Sequence, residues 1–396
     1  MMKKGWDIKK LGEVCTFING FAFKSSKFTE SGEPIIRISD IQNGMVVDSN
    51  VVYFDIDSYS ENLSKYKVYP NDILIAMSGG TTGKIGINYT NREFYLNQRV
   101  GVFRENNNVL NHMFLFYYLH TKGEDSLKMA AGAAQPNLST AQIKDFDIPI
   151  PTLSEQKEIV EHLDSSFVKI DTLKANAAKN LDEAKALFQS ALKEALEPKK
   201  GWKEKTLKEV SLSITDGDHM PPPKANEGIP FITISNIDKE TNTLNMEDTF
   251  YVPEDYYNSL KEDRKPQIGD LLYTVTGSFG IPVVVESDKR FCFQRHIAMI
   301  RPDKAQVLCK YLYYWCLSPN AKSEADKVAT GTAQRTVSLT SLRKFIIPVP
   351  SIKEQEMLIS YLYSLERKVN TLQQNYSRIC SECDALKQAI LKQVFE

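Results

Sequence analysis

Residues 78 to 86, SGGTTGKIG, bring glycines, hydroxyls and a lysine to a spacing that suggests phosphate chemistry. A Walker-type loop needs a first glycine, four free positions and then Gly-Lys-Ser/Thr, so that backbone N–H groups wrap the phosphates and the hydroxyl meets magnesium. The first glycine is replaced by Ser78, and Lys84 is followed by Ile85, which has no hydroxyl. The stretch therefore reads as a turn after the apolar run Ile73 to Met77. Asp216-Gly217-Asp218-His219 holds two carboxylates and an imidazole, which could form an acid–base or metal group. Cys380 and Cys383 form the only CxxC among six scattered cysteines, with no second pair or histidines at ligand spacing. No HExxH, no GxSxG and no glycine-rich S-adenosylmethionine loop with an Asn/Asp-Pro-Pro-aromatic tetrad occurs.

What remains is a dense set of polar residues on loops. In the first half these are Lys24, Ser25, Ser26, Arg37, Ser39, Asp40, Ser78, Thr81, Thr82, Lys84, Asn97, Gln98, Arg99, Gln135 and Asn137. In the second they are Asp216, Asp218, His219, Lys224, Thr233, Ser235, Asn236, Thr276, Ser278, Gln294, Arg295, His296, Gln334, Arg335 and Thr336. Such side chains bond base edges and phosphates. Gln98-Arg99 recurs as Gln294-Arg295, which raises these four above the rest, although a shared role in the fold explains recurrence equally well.

The elements that must position them are written twice. GWDIKKLGEV at Gly5 reappears as GWKEKTLKEV at Gly201, and GEPIIRISDI at Gly32 as GIPFITISNI at Gly228. NDILIAMSGG aligns with GDLLYTVTGS, which places Asp72 on Asp270 and Gly79 on Gly277. GAAQPNLS answers GTAQRTVS, with Gln135 on Gln334, and IPIPTLSEQ answers IPVPSIKEQ, with Gln156 on Gln355. The counterpart of SGGTTGKIG is TGSFGIPV, without the lysine, so the shared feature is a hydroxyl-glycine turn at a strand end. Lys84 remains available to a DNA phosphate as a point charge. The place of DGDH in the first copy is read as FAFKSSKF, which makes the DGDH turn a loop-shaping or base-reading feature of one copy.

Each copy combines short β-like runs such as PIIRIS and DILIAM with an apolar helical stretch near Met113 to His120, followed after Pro-x-Pro by one long helical pattern. In the second of these helices apolar residues fall at Leu358, Leu362, Leu365, Val369, Leu372, Tyr376, Ile379, Cys383, Leu386 and Ile390. The first gives Ile159, Leu163, Ile170, Leu173, Ala177, Ala184, Leu187 and Ala191, with Ser166 and Asn180 weakening the stripe. Heptad spacing predicts that the two helices pack on each other along this seam. About forty residues make a rod of roughly 60 Å, and their length and narrow seam disfavour helices buried in one globule. The expected fold class is α+β: two similar mixed α/β domains separated by two long antiparallel coiled-coil helices, related by a pseudo-twofold duplication. The expected boundaries are 1–152, 153–199, 200–351 and 352–396.

With 42% hydrophobic and 25% charged residues the chain has a globular composition, and MMKKGWDIKK lacks the apolar segment of a signal peptide, so a cytoplasmic protein is expected. The net charge of −1 requires any nucleic-acid surface to be local, or to be completed by partners.

Over its whole length the chain resembles the specificity subunit of a type I restriction-modification system. The resemblance rests on GWDIKKLGEV/GWKEKTLKEV, PIIRISDI/PFITISNI, GAAQPNLS/GTAQRTVS and IPIPTLSEQKEIVEHLD/IPVPSIKEQEMLISYL; TDGDHMPP, Thr215 to Pro222, also resembles the opening of such recognition domains. It implies two target-recognition domains held apart on antiparallel helices, each reading one half of a bipartite DNA sequence, and no catalytic activity in the chain itself. It further implies two modification subunits that carry S-adenosylmethionine and methylate adenine N6. Restriction subunits would use ATP and Mg to translocate and cut, leaving no cofactor to this chain. A standalone sequence-specific DNA-binding protein is the alternative reading, and a self-sufficient nuclease or NTPase has the motif failures against it.

Overall fold

A computed structural model describes residues 5–130, 137–217, 219, 221–331 and 334–395. The chain divides into two compact units, Met1–Ala175 with Ile379–Glu396, and Asn176–Arg378.

In the first unit, six strands pair in the order Cys15–Asn19, Val100–Glu105, Ile73–Ala76, Ile85–Ile87, Gly44–Val46, Ile41–Gln42. All contacts are antiparallel except Ile85–Ile87 with Gly44–Val46. ILIA is buried at every residue, as a central strand covered on both faces requires. A second sheet runs Phe28–Thr29, Val52–Phe54, Glu33–Ile36, Phe94–Leu96, Lys67–Val68. Asp7–Lys10 pairs antiparallel with Asp147–Ile150, so the repeated GWDIKKLGEV segment closes the unit against the strand that precedes its long helix.

The second unit repeats this plan with fewer strands. Its main sheet is Ser211–Asp216, Ile297–Pro302, Leu271–Thr274, Pro282–Val284, and its second sheet Phe250–Val252, Ile229–Ile232, Cys292–Phe293. Lys203–Thr206 pairs with Ile346–Val349 as Asp7–Lys10 does with Asp147–Ile150.

The repeated residues mark a shared framework. Asp72 accepts from Tyr69 N–H and from Arg104 Nε and Nη2 at 3.2 and 2.9 Å, and Asp270 accepts from Gln267 N–H and from Arg301 at 2.9 and 2.8 Å. In both units the arginine also donates to a carbonyl, of Lys67 or Lys265, and its bonds to the aspartate raise its already high pKa. The turn before each aspartate needs left-handed backbone, with φ 71° at Asn71 and 94° at Gly269, which asparagine and glycine tolerate best. Gln156 and Gln355 are fully buried. Gln156 accepts from Asn111 N–H and donates to Val109 and Pro151 carbonyls; Gln355 does the same with Leu308, Gln306 and Pro350. Each glutamine thus ties the first turn of a long helix to the adjoining α+β domain.

Those helices are Leu153–Ala195 and Ile352–Phe395, opened by capping boxes at Thr152/Glu155 and Ser351/Glu354. In the first unit they run antiparallel, with Asp171 paired to Lys387 at 2.6 Å and Lys174 to Asp384 at 2.9 Å. Leu163, Leu391 and Phe395 join the core built by Phe114 and Tyr118, and the Phe114 and Phe395 rings lie 5.0 Å apart. In the second unit Phe188 and Leu192 share a core with Tyr311, Tyr314 and Leu362.

The expected seam needs correction in one of its two rows. Leu163, Ile170 and Leu362 are buried, and Ile159, Leu358, Leu365, Val369, Ile379 and Ile390 are half-buried. Leu173, Leu187, Leu372 and Leu386 are 53, 66, 38 and 49% exposed and lie outside the seam. In both helices the second row sits one residue later, at Phe167, Lys174, Leu181 and Phe188, and at Ile359, Glu366, Gln373, Cys380 and Lys387. The physical reason is that polar members of this row are satisfied where they lie. Lys174 and Lys387 form the ion pairs above, Glu366 accepts from both Tyr313 and Tyr314, and Gln373 donates to Glu240.

Candidate nucleic-acid interface

In the first unit the end of Ile73–Ala76, the turn before Val100–Glu105 and the segment at Asn137 converge. Met77 N–H donates to the Arg99 carbonyl, Leu138 N–H donates to the Met77 carbonyl, and Ser78 pairs with Asn137 in an antiparallel bridge. The result is a recess of about 530 Å³ lined by Asn19, Ser78, Gln98, Arg99, Asn137 and Thr140, over an apolar floor of Met77 and Leu138. Among the described residues no carboxylate and no aromatic ring lines it. Four of the candidates from the sequence therefore meet at one place. Gln135 and Asp218 lie outside the described residues.

The other first-unit candidates are distributed. Lys24, Ser25 and Ser26 are exposed at the turn Ser25–Lys27. Arg37 donates to the Asn50 carbonyl, its backbone N–H donates to Asp40, and Ser39 also donates to Asp40, which is buried. Thr81 and Thr82 donate to the carbonyls of Ser78 and Gly79, so their hydroxyls shape the glycine turn, while Lys84 is exposed. Asn97 N–H donates to the Ile36 carbonyl and its own carbonyl accepts from Val100, which fixes the turn that presents Gln98 and Arg99.

The second unit builds the same convergence with different chemistry. Val275 N–H donates to the His296 carbonyl, Val337 N–H to the Val275 carbonyl, and Thr276 pairs with Thr336. Thr336 Oγ1 lies 3.4 Å from Thr276 Oγ1. Arg335 is held by Asp326 at 3.2 Å and lies over the Phe279 ring, and Gly277 N–H donates to the Arg335 carbonyl. Burial and the adjacent Arg295 hold His296 below its ordinary pKa, which suits a neutral ring accepting from Arg295 Nε at 3.4 Å. Gln294 N–H donates to Ile232, while Ser278 and Gln334 are exposed. Asn236 is buried and fully used as a turn brace, with Thr233 donating to it and Ser235 bonded to Thr233. Lys224 lies over the Phe250 ring.

His219 Nε2 stands 3.0 Å from Asp216, which Arg264 also approaches at 3.7 Å. Among the described residues no group of three or more His, Cys, Asp or Glu is placed to hold a metal ion. Burial pushes the thiols of Cys15 and Cys309 up to about 12. Asn19 was missed from the sequence, and the signal was a glycine. A Cβ at Gly20 would fall 2.0 Å from the Asn97 carbonyl oxygen, and one at Gly217 would fall 1.8 Å from the Phe293 carbonyl oxygen. The two glycines occupy the same close approach, so Asp216-Gly217 answers Asn19-Gly20 rather than the start of FAFKSSKF.

Among the described residues no helix is long and apolar enough to cross a membrane. Residues 3–181 and 199–379 each match the type I restriction modification DNA specificity domain. The chain is 24% identical to the EcoBI specificity subunit of Escherichia coli, over 98% of this chain and 85% of that one. It is also 24% identical to the EcoKI specificity subunit of Escherichia coli strain K12, over 100% and 89%. A chain from a structure of type I R-M complex assembly and conformational transition superposes with a TM-score of 0.75 at 20% identity, covering 99% of this chain and 98% of that one, which establishes a shared fold.

Proposed function

The chain belongs to the type I restriction-modification DNA specificity family and is a DNA-specificity subunit, and on that premise we propose that each unit reads one half of an asymmetric bipartite site. One observation carries this reading. The two units share a framework residue for residue, Gln156 with Gln355 and Asp72–Arg104 with Asp270–Arg301, yet present different polar groups at the same convergence. Ser78 and Asn137 in one stand where Thr276 and Thr336 stand in the other. A common scaffold with unlike contact residues presents unlike hydrogen-bond patterns to DNA.

The chain itself is non-catalytic in this proposal and acts in the cytoplasm. Two modification subunits bring S-adenosylmethionine, and restriction subunits bring ATP and Mg. The long helices support the twofold use of one partner. Lys169, Thr172 and Leu173 recur as Lys368, Thr371 and Leu372, all exposed. Leu173 lies about 60° around the helix from the buried Ile170, so the repeated group begins on the flank of the seam and turns to solvent, with Leu173 53% and Leu372 38% exposed. Folding alone does not require a solvent-facing leucine twice at the same place, whereas two copies of one partner do. The gap between half-sites is set by the length of the same helices.

Gln98→Ala or Arg99→Ala is expected to weaken or relax reading of one half-site, at about 1–3 kcal/mol per lost base contact. Binding by the assembled complex to duplexes altered in one half at a time measures it. Equal losses over both halves would reject the assignment.

A further inference from the structure

Ser78 is 2% exposed, and among the described residues its hydroxyl has no hydrogen-bond partner. A polar group removed from water without a partner is a standing cost to the fold, and proteins keep few of them. The counterpart threonine in the second unit is not in this state, because Thr276 has Thr336 Oγ1 beside it. Ser78 lines the recess that also holds Asn19, Gln98, Arg99 and Asn137. Asn19 Oδ1 already accepts from Gly20 N–H, which leaves its amide as a donor. Among the described residues the lining thus offers a hydroxyl and amide N–H groups beside Arg99, without a carboxylate to repel an anion.

We propose that this recess seats a backbone phosphate of the DNA half-site read by the first unit, and that Ser78 Oγ donates to a phosphate oxygen when DNA binds. The proposal rests on the specificity-subunit reading and adds the chemical group that enters this recess. A base turned out of the duplex would need an aromatic ring to stack on, and among the described residues the floor offers only the aliphatic side chains of Met77 and Leu138. A phosphate needs donors from hydroxyls, amides and arginine, and these are what the recess supplies. The seat belongs to the first unit alone, since in the second the Thr276 and Thr336 hydroxyls lie together.

The test uses Ser78→Ala, which removes the hydroxyl with little change in shape, in the full chain and in its assembly with the modification subunits. Without DNA, the substitution is expected to raise the melting temperature of the chain, because the unbonded hydroxyl is gone. Thr276→Ala, which strips Thr336 of its neighbour, is expected to lower it. With DNA, Ser78→Ala is expected to weaken binding about fivefold, by the same factor whatever bases occupy the first half-site. Single methylphosphonate substitutions, which neutralise one phosphate at a time, are then scanned through that half. At one position the difference between wild type and variant is expected to vanish. A lowered melting temperature, an unchanged affinity, a penalty that follows base identity, or a scan in which every position keeps the difference each overturns the phosphate seat. Failure of the wild-type assembly to prefer any duplex sequence would instead overturn the specificity reading beneath it.

Discussion

At the scale of single residues, recurrence in the two halves marks framework more often than contact. Gln156 and Gln355 recur because one amide joins three partners across a helix start, and Asp72 and Asp270 because one carboxylate closes a turn and clamps an arginine. Removing Asp270 leaves Arg301 half-paired in a poorly solvated place, so Asp270→Ala is expected to cost about 3 kcal/mol. Denaturant unfolding of the full chain checks this, and a loss below about 1 kcal/mol would contradict it. The alignment of NDILIAM with GDLLYTV made this aspartate visible in the sequence, but not its purpose, because its arginine lies 31 residues further on. The polar loops were less legible. Thr81, Thr82 and Asn236 are the residue types that meet DNA, and each is committed to its own turn. Composition does not distinguish a hydroxyl that donates to a neighbouring carbonyl from one with no partner. Both Ser78 and Thr82 are buried hydroxyl residues of one turn, and among the described residues only the Thr82 hydroxyl has a carbonyl to donate to.

At the scale of the element, both long helices were readable from their heptads, and their starts from the Pro-x-Pro before each, where Thr152/Glu155 and Ser351/Glu354 close capping boxes. The phase of one row was not. Counting apolar letters favours Leu173 and Leu187 over Lys174 and Phe188, and Leu372 and Leu386 over Gln373 and Lys387. A lysine whose stem lies in the seam while its ammonium reaches a carboxylate on the other helix is invisible to such a count. The displaced leucines yield a prediction. Leu173→Glu together with Leu372→Glu is expected to change the stability of the chain by no more than about 0.5 kcal/mol, yet to abolish co-purification with the modification subunits. Intact assembly of the doubly substituted chain would remove the docking role from this face.

At the scale of the molecule, the proposal that helix length sets the gap is tested by lengthening. Seven residues inserted into each long helix preserve the heptad phase and add about 10 Å, or roughly three base pairs at 3.4 Å. Mapping methylated adenines in cells carrying the altered system is expected to show a gap longer by that amount, with both half-sites unchanged. An unaltered gap would separate helix length from spacing.

Each long helix is shared between the two units, and this has a cost in time. Leu391 and Phe395 pack against Phe114 and Tyr118, so nearly three hundred residues separate the aromatic pocket from the plug that fills it. A ribosome exposes that pocket long before it makes the plug. The nascent first unit must therefore wait, with apolar surface bare, until synthesis has passed through the other unit, and a message broken before the codons for Leu391 and Phe395 spoils the part translated first.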